Sequence, residues 1–465
     1  MSNQKYTEYL ENVREEINEV SPSFCVAKWK QVTMHLQNGH THSCHHPSTH
    51  FIPLSEIKRN PTALHNTEYK KQQRKLMLSG IRPPECDYCW RVEDQGNISD
   101  RTVKSSDSWA LPHIKDITSK SWDDNVDPSY VEVSFSNVCN FKCSYCGPHA
   151  SSQWLDELEK YGAYPTSGRF NNLDWPRSQN MIPIPSRDEN PYVDAFWEWW
   201  PRMYNSLEHF RITGGEPLLS KNTFRVLDYI IENPNPVLDL SINSNLCPPA
   251  ALLDAFIEKI KIIINEGKVK QLKIFTSAEA AGKQAEYIRF GMDYALWLRN
   301  IYRLLEEIPG LNITVMSTYN ALSVVGYKDF LKDIYEIKKA FPSKSAWLTA
   351  QTRLLLDIPY LRYPPHQSIF IMPTEFFHHL DDQLEFINKN QEYENGINYG
   401  FGKFEAEKMK RIRDLIYSNT ENAEVNKYRQ DFIKFVDEHD SRRNTNFLKT
   451  FAGLEEFYKS IKGTI

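Results

Sequence analysis

The sequence predicts an α/β protein whose main part is an incomplete β/α barrel. From Tyr130 onward, short runs that alternate apolar and polar residues are followed by stretches with helical periodicity. This alternation of strands and helices is typical of parallel βαβ units. At 465 residues the chain is long enough for two or three domains. All eight cysteines lie within the first 247 residues.

Six strand candidates carry the barrel prediction. In the first, Val131 to Phe135, apolar residues alternate with Glu132 and Ser134, as a half-buried strand requires. The other five are His209 to Thr213, Leu238 to Asn243, Leu272 to Ser277, Ile313 to Ser317 and Trp347 to Gln351. Helical patterns occupy residues 222–233, 252–264, 292–308 and 327–341. We therefore expect a partial (β/α)6, TIM-like barrel, with its chemistry at the carboxyl ends of the strands.

Three segments are predicted along the chain: a small cysteine-rich α+β domain (1–125), the barrel (126–352, with an insertion at 151–206) and a mostly helical extension (353–465). Residues 105–128 have the composition of a linker. The basic run Lys70 to Lys75 is interpreted as a solvated helix face. The aromatic run Phe196 to Tyr204 fits either a substrate channel or a packed helix face.

Charge and hydropathy exclude two classes of partner. A net charge of -5 offers no basic surface for a phosphate backbone, so no nucleic-acid partner is expected. The first twenty residues lack the features of a signal peptide, and no apolar stretch is long enough to span a bilayer. We expect a cytoplasmic protein without a membrane partner, in which clustered cysteines serve metal binding or catalysis.

A first cysteine motif follows the first predicted strand. Cys139, Cys143 and Cys146 have the spacing C-x3-C-x2-C. Three thiolates on a short loop can hold three corners of a 4Fe–4S cluster, which leaves the fourth iron open for chemistry. A zinc knuckle with a distant fourth ligand is the alternative.

A second motif, Gly214-Gly215-Glu216-Pro217, follows the second predicted strand. By itself such a triplet of two glycines and a glutamate could be only a turn before a helix. Here it lies at a strand end, downstream of the cysteine motif. The two motifs in this order resemble those of the radical S-adenosylmethionine (SAM) superfamily.

That resemblance implies an activity and a set of site residues. The open iron would bind SAM, and an electron passed to the cluster, from a donor such as flavodoxin or ferredoxin, would release a 5′-deoxyadenosyl radical that abstracts hydrogen from a small-molecule or peptide substrate. The residues implied to contact SAM are Tyr145 at adenine, Gly214, Gly215, Glu216 and Pro217 at the ammonium group, Ser241 and Asn243 at the ribose or methionine part, and Ser277 and Arg289 at the carboxylate. For Arg289, an ordinary solvated side chain is the alternative.

The four N-terminal cysteines form a second constellation. Cys25 and Cys44 are separated by a segment containing Gly39, and Cys86 and Cys89 form C-x2-C. This pattern resembles the twitch domain, a shortened relative of the SPASM domain, here placed before the barrel. The resemblance implies a hairpin joining the first pair and a fully ligated auxiliary 4Fe–4S cluster that transfers electrons. A structural zinc site is the alternative, because the four cysteines could form an all-cysteine zinc site, and five histidines lie near Cys44 in the sequence: His40, His42, His45, His46 and His50.

The reaction itself is left open by the sequence. An auxiliary cluster would suit oxidation or cross-linking of a peptide, a protein side chain or a sugar. Cys247, after the third strand, is a candidate catalytic hydrogen donor for an epimerase, or else a small buried side chain. A non-catalytic metal-binding scaffold is the alternative outside enzymes.

Overall fold

The computed structural model describes residues 3–344, 353–418 and 423–463. Its strands are β1 (Gln31–His35), β2 (His40–His42), β3 (His50–Phe51), β4 (Tyr130–Ser134), β5 (Lys142–Cys143), β6 (His209–Thr213), β7 (Asn235–Asn243), β8 (Val269–Thr276), β9 (Arg289–Phe290), β10 (Asn312–Met316), β11 (Leu354–Asp357), β12 (Tyr393–Glu394) and β13 (Ile397–Asn398).

The helices before the barrel and in its insertion are α1 (Asn3–Val20), α2 (Ala27–Lys30), α3 (Leu54–Arg59), α4 (Glu68–Leu78), α5 (Asp87–Asp94), α6 (Asp100–Ser105), α7 (Ile114–Thr118), α8 (Ser152–Tyr161), α9 (Asp174–Ser178) and α10 (Pro191–Tyr204). The later helices are α11 (Lys221–Glu232), α12 (Ala250–Asn265), α13 (Gly282–Ile288), α14 (Tyr294–Glu307), α15 (Tyr327–Ala340), α16 (His378–Lys389), α17 (Lys403–Tyr417), α18 (Val425–Arg443), α19 (Phe447–Thr450) and α20 (Glu455–Lys462).

The centre of the molecule is a nine-stranded sheet with the order β11-β10-β8-β7-β6-β4-β1-β2-β3. Every pair from β11 to β1 is parallel, and β2 and β3 add antiparallel partners at one edge. The prediction of an α/β fold with a mainly parallel sheet is confirmed. Five predicted strands overlap β4, β6, β7, β8 and β10, whereas the sixth, Trp347 to Gln351, lies outside the described residues.

Strand alternation divides the sheet into an apolar and a polar face. Val131, Phe210 and Ile242 are fully buried in the core that the barrel helices share. On the opposite side, which we call the polar face, Glu132 and Arg211 remain partly exposed. Parallel strands are usually apolar on both faces, so a polar, accessible face in the middle of this sheet marks the part of the barrel available to ligands.

The N-terminal segment joins this sheet. β1 lies parallel to β4, with Val32 opposite Val131, and turns into β2 at Gly39, whose φ of 70° favours glycine. The predicted division between residues 125 and 126 stays a prediction, but the sheet runs across it. The linker prediction for residues 105–128 is wrong, because Trp109 and Ile117 of this segment are buried in the N-terminal core.

Two further interpretations are decided by packing. The basic run is not a solvated face: Lys70 and Arg74 of α4 are buried, and Arg74 donates a hydrogen bond to Asn66 Oδ1 at 2.9 Å. The aromatic run forms α10, in which Phe196 and Trp200 are buried against the sheet, so it is a packed helix face. None of the described helices is both long and apolar enough to cross a membrane.

Candidate active site

A cavity of about 240 Å³ lies at the carboxyl edge of the parallel strands. It collects residues from the cysteine loop, from the glycine-rich turn after β6 and from the ends of β7 and β8. The predicted residues in its wall are Cys139, Cys143, Tyr145, Cys146, Gly214, Gly215, Asn243, Ser277 and Arg289. Residues up to 150 positions apart in the chain thus share one cavity, as expected where parallel strands end at one edge of a sheet.

The cysteine loop is held by its own backbone and by neighbouring helices. The N–H of Cys146 donates to the carbonyl of Cys143 at 3.0 Å, and Trp154 Nε1 donates to the same carbonyl at 2.7 Å. Burial raises the pKa of all three thiols, that of Cys146 to about 12. Buried thiols that ionise only beside a cation fit a metal or cluster ligand set.

The two glycines let this loop and the turn after β6 touch. A β-carbon on Gly215 would lie 2.3 Å from the carbonyl oxygen of Val138, and Gly214 has a φ of 123°. Any side chain at Gly215 would therefore push the turn away from the segment that leads into Cys139. The two glycines, which were predicted to contact SAM, therefore also allow the turn to pack against the cysteine loop.

Glu216 is buried directly behind the cavity wall. Its carboxylate accepts hydrogen bonds from the N–H of Leu218 at 2.9 Å, from Ser244 Oγ at 2.9 Å and from the N–H of Asn245 at 2.6 Å. Burial raises the pKa of Glu216 to about 7, and the three donors limit that rise. This carboxylate thus anchors residues 244 and 245, which line the cavity.

Arg289 belongs to a buried network and is not a solvated side chain. It donates to Glu279 Oε2 through Nε at 3.0 Å and through Nη2 at 2.7 Å, and its Nη1 lies 3.6 Å from Cys143 Sγ. The hydroxyl of Tyr145 donates to the same carboxylate at 3.1 Å. Glu279 has no role predicted from its sequence context, although its position two residues beyond Ser277 at a strand end is a signal that could have identified it.

Besides Glu216, three predicted residues do not line the cavity. Pro217 begins a short turn of 3-10 helix behind it, and Ser241 lies two residues before Asn243 on the polar face. Cys247 is buried, with its thiol directed to the carbonyl of Asp293 at 3.7 Å. Burial raises the pKa of Cys247 to about 12. Its role as a hydrogen donor stays a prediction, and the thiol lies outside the cavity wall.

A second, narrow cavity, of about 20 Å³, collects the four N-terminal cysteines Cys25, Cys44, Cys86 and Cys89. The hairpin of β1 and β2 leads into Cys44, and the start of α5 carries Cys89. Burial raises the pKa of Cys25, Cys86 and Cys89 to about 12.

Cations surround these thiols. Lys28, Arg101 and Lys104 line the same cavity, and Lys28 forms an ion pair with Glu85. Within the described residues, no three His, Cys, Asp or Glu side chains converge closely enough to hold a single metal ion. Four thiols beside cationic side chains suit a negatively charged metal–thiolate site, which both an iron–sulfur cluster and zinc would form.

Comparison with known proteins agrees with the first cavity. The profile of the radical SAM superfamily matches residues 133–331. This segment is similar to radical SAM domains. It includes every residue of the first cavity named above, whereas the four N-terminal cysteines lie before it. A 4Fe–4S cluster and SAM are the cofactors that this similarity implies.

One curated relative is a GTP 3′,8-cyclase from Sulfurovum sp. (strain NBC37-1). It is 24% identical over 171 residues, which is 36% of this chain and 42% of the cyclase. The chain therefore spans less than half of the length of this relative, and the similarity supports the radical SAM domain without defining a substrate.

Proposed function

We propose that this protein is a radical SAM enzyme that oxidises or cross-links a peptide, a protein side chain or a sugar, with a second 4Fe–4S cluster as electron conduit. One observation carries the proposal: the C-x3-C-x2-C loop, the glycine-rich turn and the ends of β7 and β8 enclose one cavity. When bound there, the cluster and SAM would supply a 5′-deoxyadenosyl radical that removes hydrogen from the substrate.

The chain's own residues hold and orient these groups. Cys139, Cys143 and Cys146 would ligate three irons, and Asn243 and Ser277 present polar side chains at the carboxyl edge of the sheet. Arg289 is occupied by Glu279, so its contribution is to fix Tyr145 and to place a positive charge beside Cys143. The carboxylate of SAM would therefore be contacted by other polar groups in the wall of the first cavity.

The N-terminal cavity would hold the second cluster. Its four cysteines leave no iron open, which suits electron transfer and not substrate ligation. Lys28, Arg101 and Lys104 offset the negative charge of such a cluster. An electron taken from a substrate radical by this route gives a net two-electron oxidation of the substrate.

The test is anaerobic reconstitution followed by iron, sulfide and zinc analysis, EPR, and measurement of 5′-deoxyadenosine formed from SAM. We expect about eight irons in the wild type and about four in a Cys139/Cys143/Cys146→Ala variant, which should form no 5′-deoxyadenosine. A Cys25/Cys44/Cys86/Cys89→Ala variant should also keep about four irons but still cleave SAM. About four irons with one zinc in the wild type would refute the electron conduit, and a fully loaded wild type without SAM cleavage would refute the enzyme.

A further inference from the structure

One row of side chains crosses the polar face just below the first cavity. Strand register aligns Glu132 with Arg211, Arg211 with Ser241, and Ser241 with Lys273. All four are partly exposed although they belong to central strands. Since side chains on one face of a strand repeat every two residues, this row lies directly below Asn243 and Phe275, which line the cavity.

Arg211 is held rigidly in this row. Its Nε donates to Asn243 Oδ1 at 3.0 Å, and its guanidinium lies 4.4 Å from the ring centroid of Phe275. Glu132 Oε2 is 3.9 Å from Arg211 Nε. At this distance the two charges attract each other, but they do not form a bidentate salt bridge. The guanidinium is therefore fixed in orientation but still 25% exposed.

Lys273 adds a positive charge that the protein does not balance. It forms no ion pair within the part of the chain that the structure describes. In the row below, Asp239 is already shared between His209 at 3.7 Å and Lys270 at 3.4 Å. The row of Glu132, Arg211 and Lys273 therefore carries one positive charge in excess.

The row also reaches toward the second cavity. Glu132 and Arg211 are among the charged neighbours of His45, which follows Cys44 and lines the cavity of the four N-terminal cysteines. A molecule resting on this row would touch the wall of the first cavity at Asn243.

We propose that Arg211, Ser241 and Lys273 form a binding site for an anionic group of the substrate, a carboxylate or a phosphate. Arg211 on β6 and Lys273 on β8 are separated by β7, which places their Cα atoms about 10 Å apart. Their long side chains can therefore contact one anion from both sides. Ser241 between them supplies a hydroxyl donor. That the anion belongs to the substrate rests on the proposed function; the binding site itself does not.

The test measures binding of two probes, inorganic pyrophosphate and glutarate, to the reconstituted full-length protein by calorimetry at constant ionic strength. We expect one probe to bind, and Lys273→Gln and Arg211→Gln each to weaken it roughly ten- to hundredfold, the usual loss of a charge-assisted hydrogen bond. Lys332→Gln, which removes an exposed lysine of α15 paired with Asp329, is the matched control and should leave binding unchanged.

Each result has one meaning. Preference for pyrophosphate assigns a phosphate-bearing substrate, and preference for glutarate a carboxylate-bearing one. Absence of binding by both probes, or equal affinity in wild type and both variants, overturns the site. Iron content and 5′-deoxyadenosine formation are measured on the same samples; loss of SAM cleavage with intact anion binding would refute the proposed function and leave the site standing.

Discussion

At the scale of single residues, Glu216 is a side chain whose burial changes its protonation. A pKa near 7 in the folded protein, against about 4.5 in the unfolded chain, means that folding favours the protonated form. The contribution of Glu216 to stability is thus complete below about pH 4.5 and is lost as the pH rises through 7.

We therefore expect the free energy of unfolding of the wild type, relative to Glu216→Gln, to fall by about 2 to 3 kcal/mol between pH 4.5 and 8. Urea unfolding of both metal-free proteins at the two pH values measures this difference in the free energy of unfolding. Glu266→Gln, an exposed position, is the control and should show no such trend. A pH-independent difference between wild type and Glu216→Gln would contradict the raised pKa.

The pair of Arg289 and Glu279 gives a second prediction at this scale. Arg289→Gln leaves a buried carboxylate without its cation, and we expect a loss of about 3 to 5 kcal/mol of stability. The double variant Arg289→Gln/Glu279→Gln removes both charges and should recover most of that loss. Urea unfolding of the two variants and of Glu279→Gln completes the cycle, and strictly additive effects would show that the two side chains are independent.

At the scale of elements, the C-terminal extension reaches the cluster loop. Arg443 at the end of α18 donates to the carbonyl of Lys142 at 2.8 Å and pairs with Glu157 of α8. Gln367 donates to the carbonyl of Ser144 at 3.0 Å. Lys142 and Ser144 flank Cys143, so helices far along the chain hold the middle of the C-x3-C-x2-C loop.

Arg443→Lys should loosen this loop, because a single ammonium cannot keep both the carboxylate and the carbonyl contacts. We expect about half of the iron of the reconstituted protein to be lost to a chelator at a faster rate, with the other half unaffected. The control is Arg442→Lys, since Arg442 contacts the carbonyls of Gly162 and Ala163 instead. If Arg443→Lys loses iron to the chelator at the wild-type rate, α18 does not stabilise the cysteine loop.

At the scale of the whole molecule, the sheet makes the N-terminal segment and the barrel interdependent. β1 covers the edge of β4, and Val32 and Met34 belong to the same core as Val131 and Val133. A fragment comprising residues 126–465 would expose an apolar strand edge, which promotes aggregation.

We expect that fragment to be insoluble when produced alone and to be rescued, at least in part, by coexpression of residues 1–125. Soluble yield and size-exclusion chromatography measure both. A monodisperse fragment with cooperative unfolding would instead support the domain division predicted at residues 125 and 126.

Local patterns determined much of this protein. Period-two alternation identified five described strands of the sheet, because one buried and one accessible face impose it on each strand separately. The spacing of Cys139, Cys143 and Cys146 and the order of the two motifs indicated the resemblance to the radical SAM superfamily, since three ligands on one loop need only a short chain segment.

Tertiary structure decided the rest, because it depends on which distant segments meet. Nothing local shows that Arg289 is paired with Glu279, that Cys247 lies outside the cavity wall, or that Lys70 and Arg74 are buried. The row of Arg211, Ser241 and Lys273 likewise exists only through strand register. Periodicity tells which face a side chain takes, whereas partners and burial follow from the packing of the whole chain.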